Sequence, residues 1–157
     1  MIITMKPEMF DIENVYYCKP IRNKIMNGGT FMRIIYSNNL VSINGIHIAF
    51  VIQGKVNEVY SNKYKFNYDN FNDTPNLINK LQEIEKRLLI SCDIPDKTPC
   101  YKLKDQLEQK FFKFFQSSQS TKTNNKQGSN PITFSLKISG IWSTDTTYGI
   151  TYKFTKI

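Results

Sequence analysis

The apolar pattern of this chain changes period twice. From Thr30 to Tyr68 apolar side chains recur at every second position. From Thr74 to Ile90 they recur at every third and fourth, and after Asn130 the period of two returns. A period of two belongs to a half-buried strand and a period near 3.6 to an amphipathic helix. The chain therefore reads as a run of strands, one helical insertion and a final run of strands. Its 157 residues suit a single domain (1–157) with one core.

Thr30–Ser37 reads as a strand, with Phe31, Arg33 and Ile35 on one face and Met32, Ile34 and Tyr36 on the other. Val15–Lys19 is a shorter candidate, ended by Pro20. Asn38-Asn39 is a turn, and Asn44-Gly45 carries a hairpin-turn signal. Ile46–Ile52 reads as a strand buried on at least one face and broken by Gly54. Lys55–Tyr60 and Lys63–Tyr68 pair across Ser61-Asn62, with Tyr64, Phe66 and Tyr68 as a core-facing stripe and Lys63 and Lys65 opposite. Thr74 is a candidate N-cap, with Pro75 opening a helix to about Ile90. Tyr101–Gln109 suggests a second, short helix. Residues 110–115, Lys-Phe-Phe-Lys-Phe-Phe, either continue that helix or form a strand buried on both faces. Residues 1–14 read as an irregular lead-in and 117–130 as a mobile polar loop. Thr133–Ser143, with a bulge expected at Gly140, and Tyr148–Ile157 form a last hairpin. The fold class is mainly β with one or two helices: an OB-like small barrel or curled antiparallel sheet with a helical insertion, a β-sandwich with a helical insert being the alternative.

The net charge of +8 is unevenly distributed. Residues 19–65 and 110–157 each carry +6, whereas 1–18 and 66–109 each carry −2. If the two basic blocks share a sheet, they give a basic face, the footprint of a polyanion binder. An AT-rich coding bias toward Lys, Asn and Ile offers a plainer source for the 18 lysines. Three cysteines, Cys18, Cys92 and Cys100, have no framework spacing, which points to a reduced intracellular setting. No apolar run has the length of a membrane span, so no membrane association is expected.

Signs of catalysis are sparse. The single histidine, His47, sits in an apolar strand and reads as a packed residue. There is no CxxC pair, no phosphate-binding glycine loop and no G-x-S-x-G elbow. A carboxylate metal site built from distant residues stays open as an alternative. The expectation is a protein with no enzymatic activity and no cofactor or metal.

Basic and aromatic side chains recur together on several strands. Single-stranded nucleic acid needs cations along its backbone and rings on which unpaired bases stack. The candidate contacts are Arg33, Tyr36, Lys63, Tyr64, Lys65, Lys137, Trp142, Tyr148, Tyr152 and Lys153. Plainer readings stand beside these: the tyrosines as core, Trp142 as the plug of a barrel end, the lysines as solubilising charge.

Residues 134–154, Phe-Ser-Leu-Lys-Ile-Ser-Gly-Ile-Trp-Ser-Thr-Asp-Thr-Thr-Tyr-Gly-Ile-Thr-Tyr-Lys-Phe, together with 31–37 and Asn44-Gly45-Ile46, resemble small OB-fold single-stranded DNA-binding proteins of large eukaryotic DNA viruses. The resemblance covers about a third of the chain and implies binding of single strands, DNA before RNA, in replication or recombination. It implies Arg33, Lys137, Trp142 and Lys153 on the binding strands, and an infected host cell or its virions as the location. A homo-oligomer and replication proteins follow as candidate partners. Many such proteins recruit enzymes through an acidic tail; here the last residues are Tyr-Lys-Phe-Thr-Lys-Ile, so recruitment of that kind is not expected. A virion or scaffold component, or a partner-binding module without nucleic-acid specificity, is the competing reading.

Overall fold

The computed structural model describes residues 3–25, 28–60, 63–70, 72–115 and 130–157. It contains ten strands and two helices: β1 Val15–Tyr17, β2 Ile21–Arg22, β3 Thr30–Ser37, β4 Ser42–Asn44, β5 Ile46–Tyr60, β6 Lys63–Tyr68, α1 Thr74–Cys92, β7 Thr98–Pro99, α2 Lys102–Glu108, β8 Phe111–Phe115, β9 Asn130–Ser143 and β10 Thr147–Lys156. The expected 117–130 loop lies almost wholly outside the described residues.

Five strands close on themselves in the order β5-β6-β8-β10-β9 and back to β5. Only the β8–β10 contact within this ring is parallel. Numbered along the chain, the ring runs first, second, third, fifth, fourth. This is an OB-like barrel, with both helices inserted between its second and third strands. A closed ring pairs strand edges that a flat sheet would leave open. Outside the ring, β3 pairs with β9 through Thr30–Arg33, and with β1 and β4 through its second half.

The alternation read from the sequence fills the barrel. Ile48, Phe50, Ile52, Phe66, Phe112, Phe114, Phe134, Leu136, Ile150 and Phe154 are all buried. Their rings interlock: Phe112 stacks on Phe154 with centroids 4.1 Å apart and meets Phe134 edge-on at 4.9 Å. Leu81, Ile84, Leu88 and Leu89 of α1 and Leu103 and Leu107 of α2 add the helical part of the core. Tyr hydroxyls tie the layers together. Tyr17 donates to Leu88 O at 2.9 Å, Tyr148 to Leu89 O at 3.2 Å and Tyr68 to Leu107 O.

Four expectations are corrected. Asn44-Gly45 does not join a hairpin, because β4 pairs with β3 while β5 pairs with β9. Gly45 instead turns a corner between the outer strands and the barrel. Its φ is +84°, and a Cβ there would lie 2.9 Å from Ile138 O. Gly54 does not break its strand either. β5 runs through it from β9 to β6, and Gly54 is needed because a Cβ would come within 2.2 Å of Asn67 O. The segment 110–115 is a strand, which Lys110 at φ +60° separates from α2, and it is buried on one face only. The lead-in is irregular but ordered into the fold: Phe10 is buried, and Met5 bridges to Ile48. The bulge falls beside the expected glycine. Thr151 pairs with Gly140 and Tyr152 with Ile138, which leaves Ser139 unmatched.

Candidate nucleic-acid interface

All of the net charge sits on the strands. The ten described strands carry nine Lys or Arg against Glu58 alone, and the remainder of the chain carries twelve against twelve. The inward positions of the barrel are apolar, so these cations are forced outward.

The densest outward cluster is on β6 and β8. In β6 the period of two turns Phe66 and Tyr68 inward and leaves Lys63, Lys65 and Asn67 outward. In β8 it turns Phe112 and Phe114 inward and leaves Phe111, Lys113 and Phe115 outward. The antiparallel register sets Lys63 opposite Phe115, Lys65 opposite Lys113 and Asn67 opposite Phe111. Cations and rings therefore alternate over two adjacent strands. The Lys65 ammonium lies 4.0 Å from the centre of the Phe111 ring. At the end of the pair, Lys63 Nζ donates to Tyr60 Oη at 3.2 Å. Phe115 and Tyr60 are 64% and 61% exposed, and the Lys63 ammonium stands over the Tyr60 ring, 5.2 Å from its centre. In OB barrels the second and third strands form the face that binds oligonucleotides. β6 and β8 hold those places in this barrel.

The ten sequence candidates separate into groups. Lys63 and Lys65 belong to this face. Lys137 and Lys153 pair in register across β9 and β10, outward on another side of the barrel. Arg33 is exposed on β3, opposite Gly140, outside the ring altogether. The remaining five are tied into the protein. Tyr36 is 3% exposed, packs beside Phe10, and its hydroxyl accepts from Asp11 N and Asn14 Nδ2. Tyr148 is also 3% exposed, and burial raises its pKa. Neither ring can meet a base without opening the core, so both are corrected to structural residues. Tyr64 is half-buried and stacked on Phe114, centroids 5.5 Å apart. Tyr152 is half-buried against the edge of Phe154, with its phenol pushed up to about 12 by burial. Trp142 donates Nε1–H to Ile150 O at 3.1 Å and lies against Gly149, where a Cβ would come within 2.7 Å of the indole. Lys102 stands over that ring at 4.8 Å.

Tyr60, Phe111, Lys113 and Phe115 were not among the sequence candidates. For the three on β8 the signal was Phe-Phe-Lys-Phe-Phe itself, since a central lysine with a period of two puts two rings inside and two outside; Tyr60, at the end of β5, had no such signal.

A depression of about 670 Å³ lies between Lys6, Pro7 and Glu8, the middle of β5 and the start of α1. Lys6 and Lys80 face Glu8 and Asp73 there, and Lys80 approaches Glu8 to 3.9 Å. Its mixed lining has no bias toward polyanions. Among the described residues, no three His, Cys, Asp or Glu side chains gather as a metal set, and no helix is long and apolar enough to cross a membrane. Comparison with known families, with curated proteins and with solved structures returns no match.

Proposed function

We propose that this protein binds single-stranded DNA without catalysing a reaction on it, in support of viral DNA replication or recombination. The observation that carries the proposal is the outward face of β6 and β8, where Lys63, Lys65 and Lys113 interleave with Phe111 and Phe115. Lysine ammonium groups hold phosphates and release counterions, which gives affinity independent of sequence. Exposed rings stack unpaired bases at roughly 1–3 kcal/mol each, and every base has a face to stack, so sequence selectivity is slight. A duplex keeps its bases inside and uses only the cations. The viral setting and the preference for DNA over RNA rest on the resemblance in residues 30–46 and 134–154.

Fluorescence anisotropy with a labelled single strand and a duplex of equal length, at low and moderate salt, tests this reading. Tighter binding to the single strand that persists at moderate salt is expected, with loss in Lys65→Ala/Lys113→Ala. Equal binding to both that collapses with salt would overturn it.

A partner-binding module or virion component is the second reading. Its support is Ile25 and Leu40, apolar side chains 94% and 91% exposed on bends outside the strands.

A further inference from the structure

The barrel carries a second pattern that the β6–β8 face does not use. Lys65 on β6 is in register with Lys113 on β8. Lys153 on β10 is in register with Lys137 on β9, and Lys137 with His47 on β5. The remaining junction, between β8 and β10, is set by Phe114 opposite Phe154 in a parallel pair. Lys113 and Lys153 each precede these partners by one residue, so they stand level. They also line one notch of about 180 Å³, together with Gln106, Phe115 and Tyr152.

Five adjacent strands thus each present a basic or imidazole side chain outward in one row of paired residues, which spirals around the barrel because it meets β5 at His47 from β9 and at Asn57 from β6. Neighbouring strands lie about 4.8 Å apart, so the belt extends over about 19 Å of arc. Lys113 and Lys153 are exposed; Lys65, Lys137 and His47 are half-buried. The Lys137 chain runs over Gly45, 3.6 Å from where a Cβ would stand, so the corner glycine helps to seat it. No carboxylate lies on β6, β8, β9 or β10 to interrupt the belt. Like charges in register repel one another and are destabilising across a sheet. A polyanion lying over the row removes that cost.

We propose that the bound single strand does not stop at the β6–β8 face but wraps the barrel across its strands, with its phosphates following Lys65, Lys113, Lys153, Lys137 and His47. This inference rests on the single-strand-binding reading and adds the path. The strand turns around the barrel, crosses the β8–β10 seam at the notch and ends beside Met5, whose backbone flanks His47 on β5. An axial path over β6 and β8 would leave Lys137 and Lys153 untouched.

The test compares two double variants, Lys65→Ala/Lys113→Ala and Lys137→Ala/Lys153→Ala, with the unaltered protein. The probe is a labelled oligothymidylate of about 16 nucleotides, the upper end for one OB barrel, titrated by anisotropy at several salt concentrations. Each phosphate contact contributes about 0.7 to the slope of log affinity against log salt for a single strand. If the strand wraps, each double variant flattens the slope by about 1.4. If Lys65→Ala/Lys113→Ala flattens the slope and Lys137→Ala/Lys153→Ala does not, the wrapped path is overturned while single-strand binding stands. If neither has an effect, or the protein shows no preference for the single strand, the functional reading fails and the path with it. Thermal melts show that each variant is folded, and Lys137→Gln/Lys153→Gln, which keeps the chain length over Gly45, replaces any alanine variant that is not.

Discussion

The barrel wall and the helical layer are built from one chain under opposite electrostatic rules. On the five strands of the wall, seven cations stand against one carboxylate, and none of them is in an ion pair among the described residues. In the helices charges are balanced and used locally: Lys86 with Glu83, Lys104 with Glu108, and Glu85 in the interior. Glu85 is fully buried in α1, and its carboxylate accepts from Leu103 N at 3.0 Å and Lys104 N at 2.8 Å. It caps the first turn of α2 from another helix, satisfying amides that would otherwise be orphaned. Charge in the helical layer holds parts of the fold together. Charge on the wall enters no ion pair among the described residues, and like charges in register across it repel. That contrast is the general argument for assigning a ligand to the wall.

The largest expected effect tests the helical side of the contrast. Glu85→Ala should cost about 3 kcal/mol of stability, since two buried N–H groups lose their acceptor and a cavity opens. Chemical denaturation measures the loss, and single-strand affinity at temperatures where the variant is folded should not change. Burial raises the Glu85 pKa. Its folded value therefore lies above its unfolded one, and the folded state binds the proton more tightly. This contribution is fully present in acid and is lost as pH rises through the carboxyl range. Glu85→Gln keeps one acceptor, so it should cost less than alanine at neutral pH, and its deficit relative to the unaltered protein should widen as pH falls.

Phe115→Ala tests the wall. With the ring mostly exposed, stability should change by less than about 0.5 kcal/mol, while affinity for a single strand falls by about tenfold, the loss of one stacked base. Loss of stability without loss of affinity would place Phe115 on the structural side and break the contrast.

The smallest expected effect concerns His47. Its pKa is lowered, first by burial and then by Lys137 and Lys153, against a contact of 3.3 Å with Asn44 O that raises it. The ring is therefore neutral at pH 7 and gains a charge as pH falls below its ordinary range. Single-strand affinity should rise about two- to threefold between about pH 7 and pH 5.5 as one more cation joins the belt, and His47→Ala should flatten the rise. Folding responds in the opposite sense: a depressed histidine pKa withdraws stability as pH falls.

The parts of this fold that were legible in the sequence are those fixed by neighbours along the chain. The period of two in Lys63–Tyr68 placed Phe66 inside and Lys65 outside, and Leu81, Ile84 and Leu88 marked the buried stripe of α1. Glycines were misread, because what Gly45 and Gly54 avoid are Ile138 and Asn67, residues contributed by other strands. Tyrosines were harder still. The hydroxyl of Tyr148 finds its partner on Leu89, 59 residues away, and no local pattern announces that. The interface was half legible for the same reason. Each strand declares its outward lysines, but the alignment of Lys113 with Lys153 depends on a parallel pairing made only when the ring closes.

The ring order has a consequence for how the protein is made. β10 holds the barrel shut, pairing with β8 on one side and β9 on the other, and of the five ring strands it comes last along the chain. While the ribosome still covers Thr147–Lys156, Phe50 and Phe112 have no Phe154 to close over them. The nascent chain therefore exposes part of its apolar interior until β10 emerges, and its unpaired edges until then are β8 and β9. The ring can close only after β10 has been made, and closure is slow because its decisive pairings join strands distant along the chain. The lysines along those same edges then have a second use: they keep growing chains apart on a polysome until the ring can close.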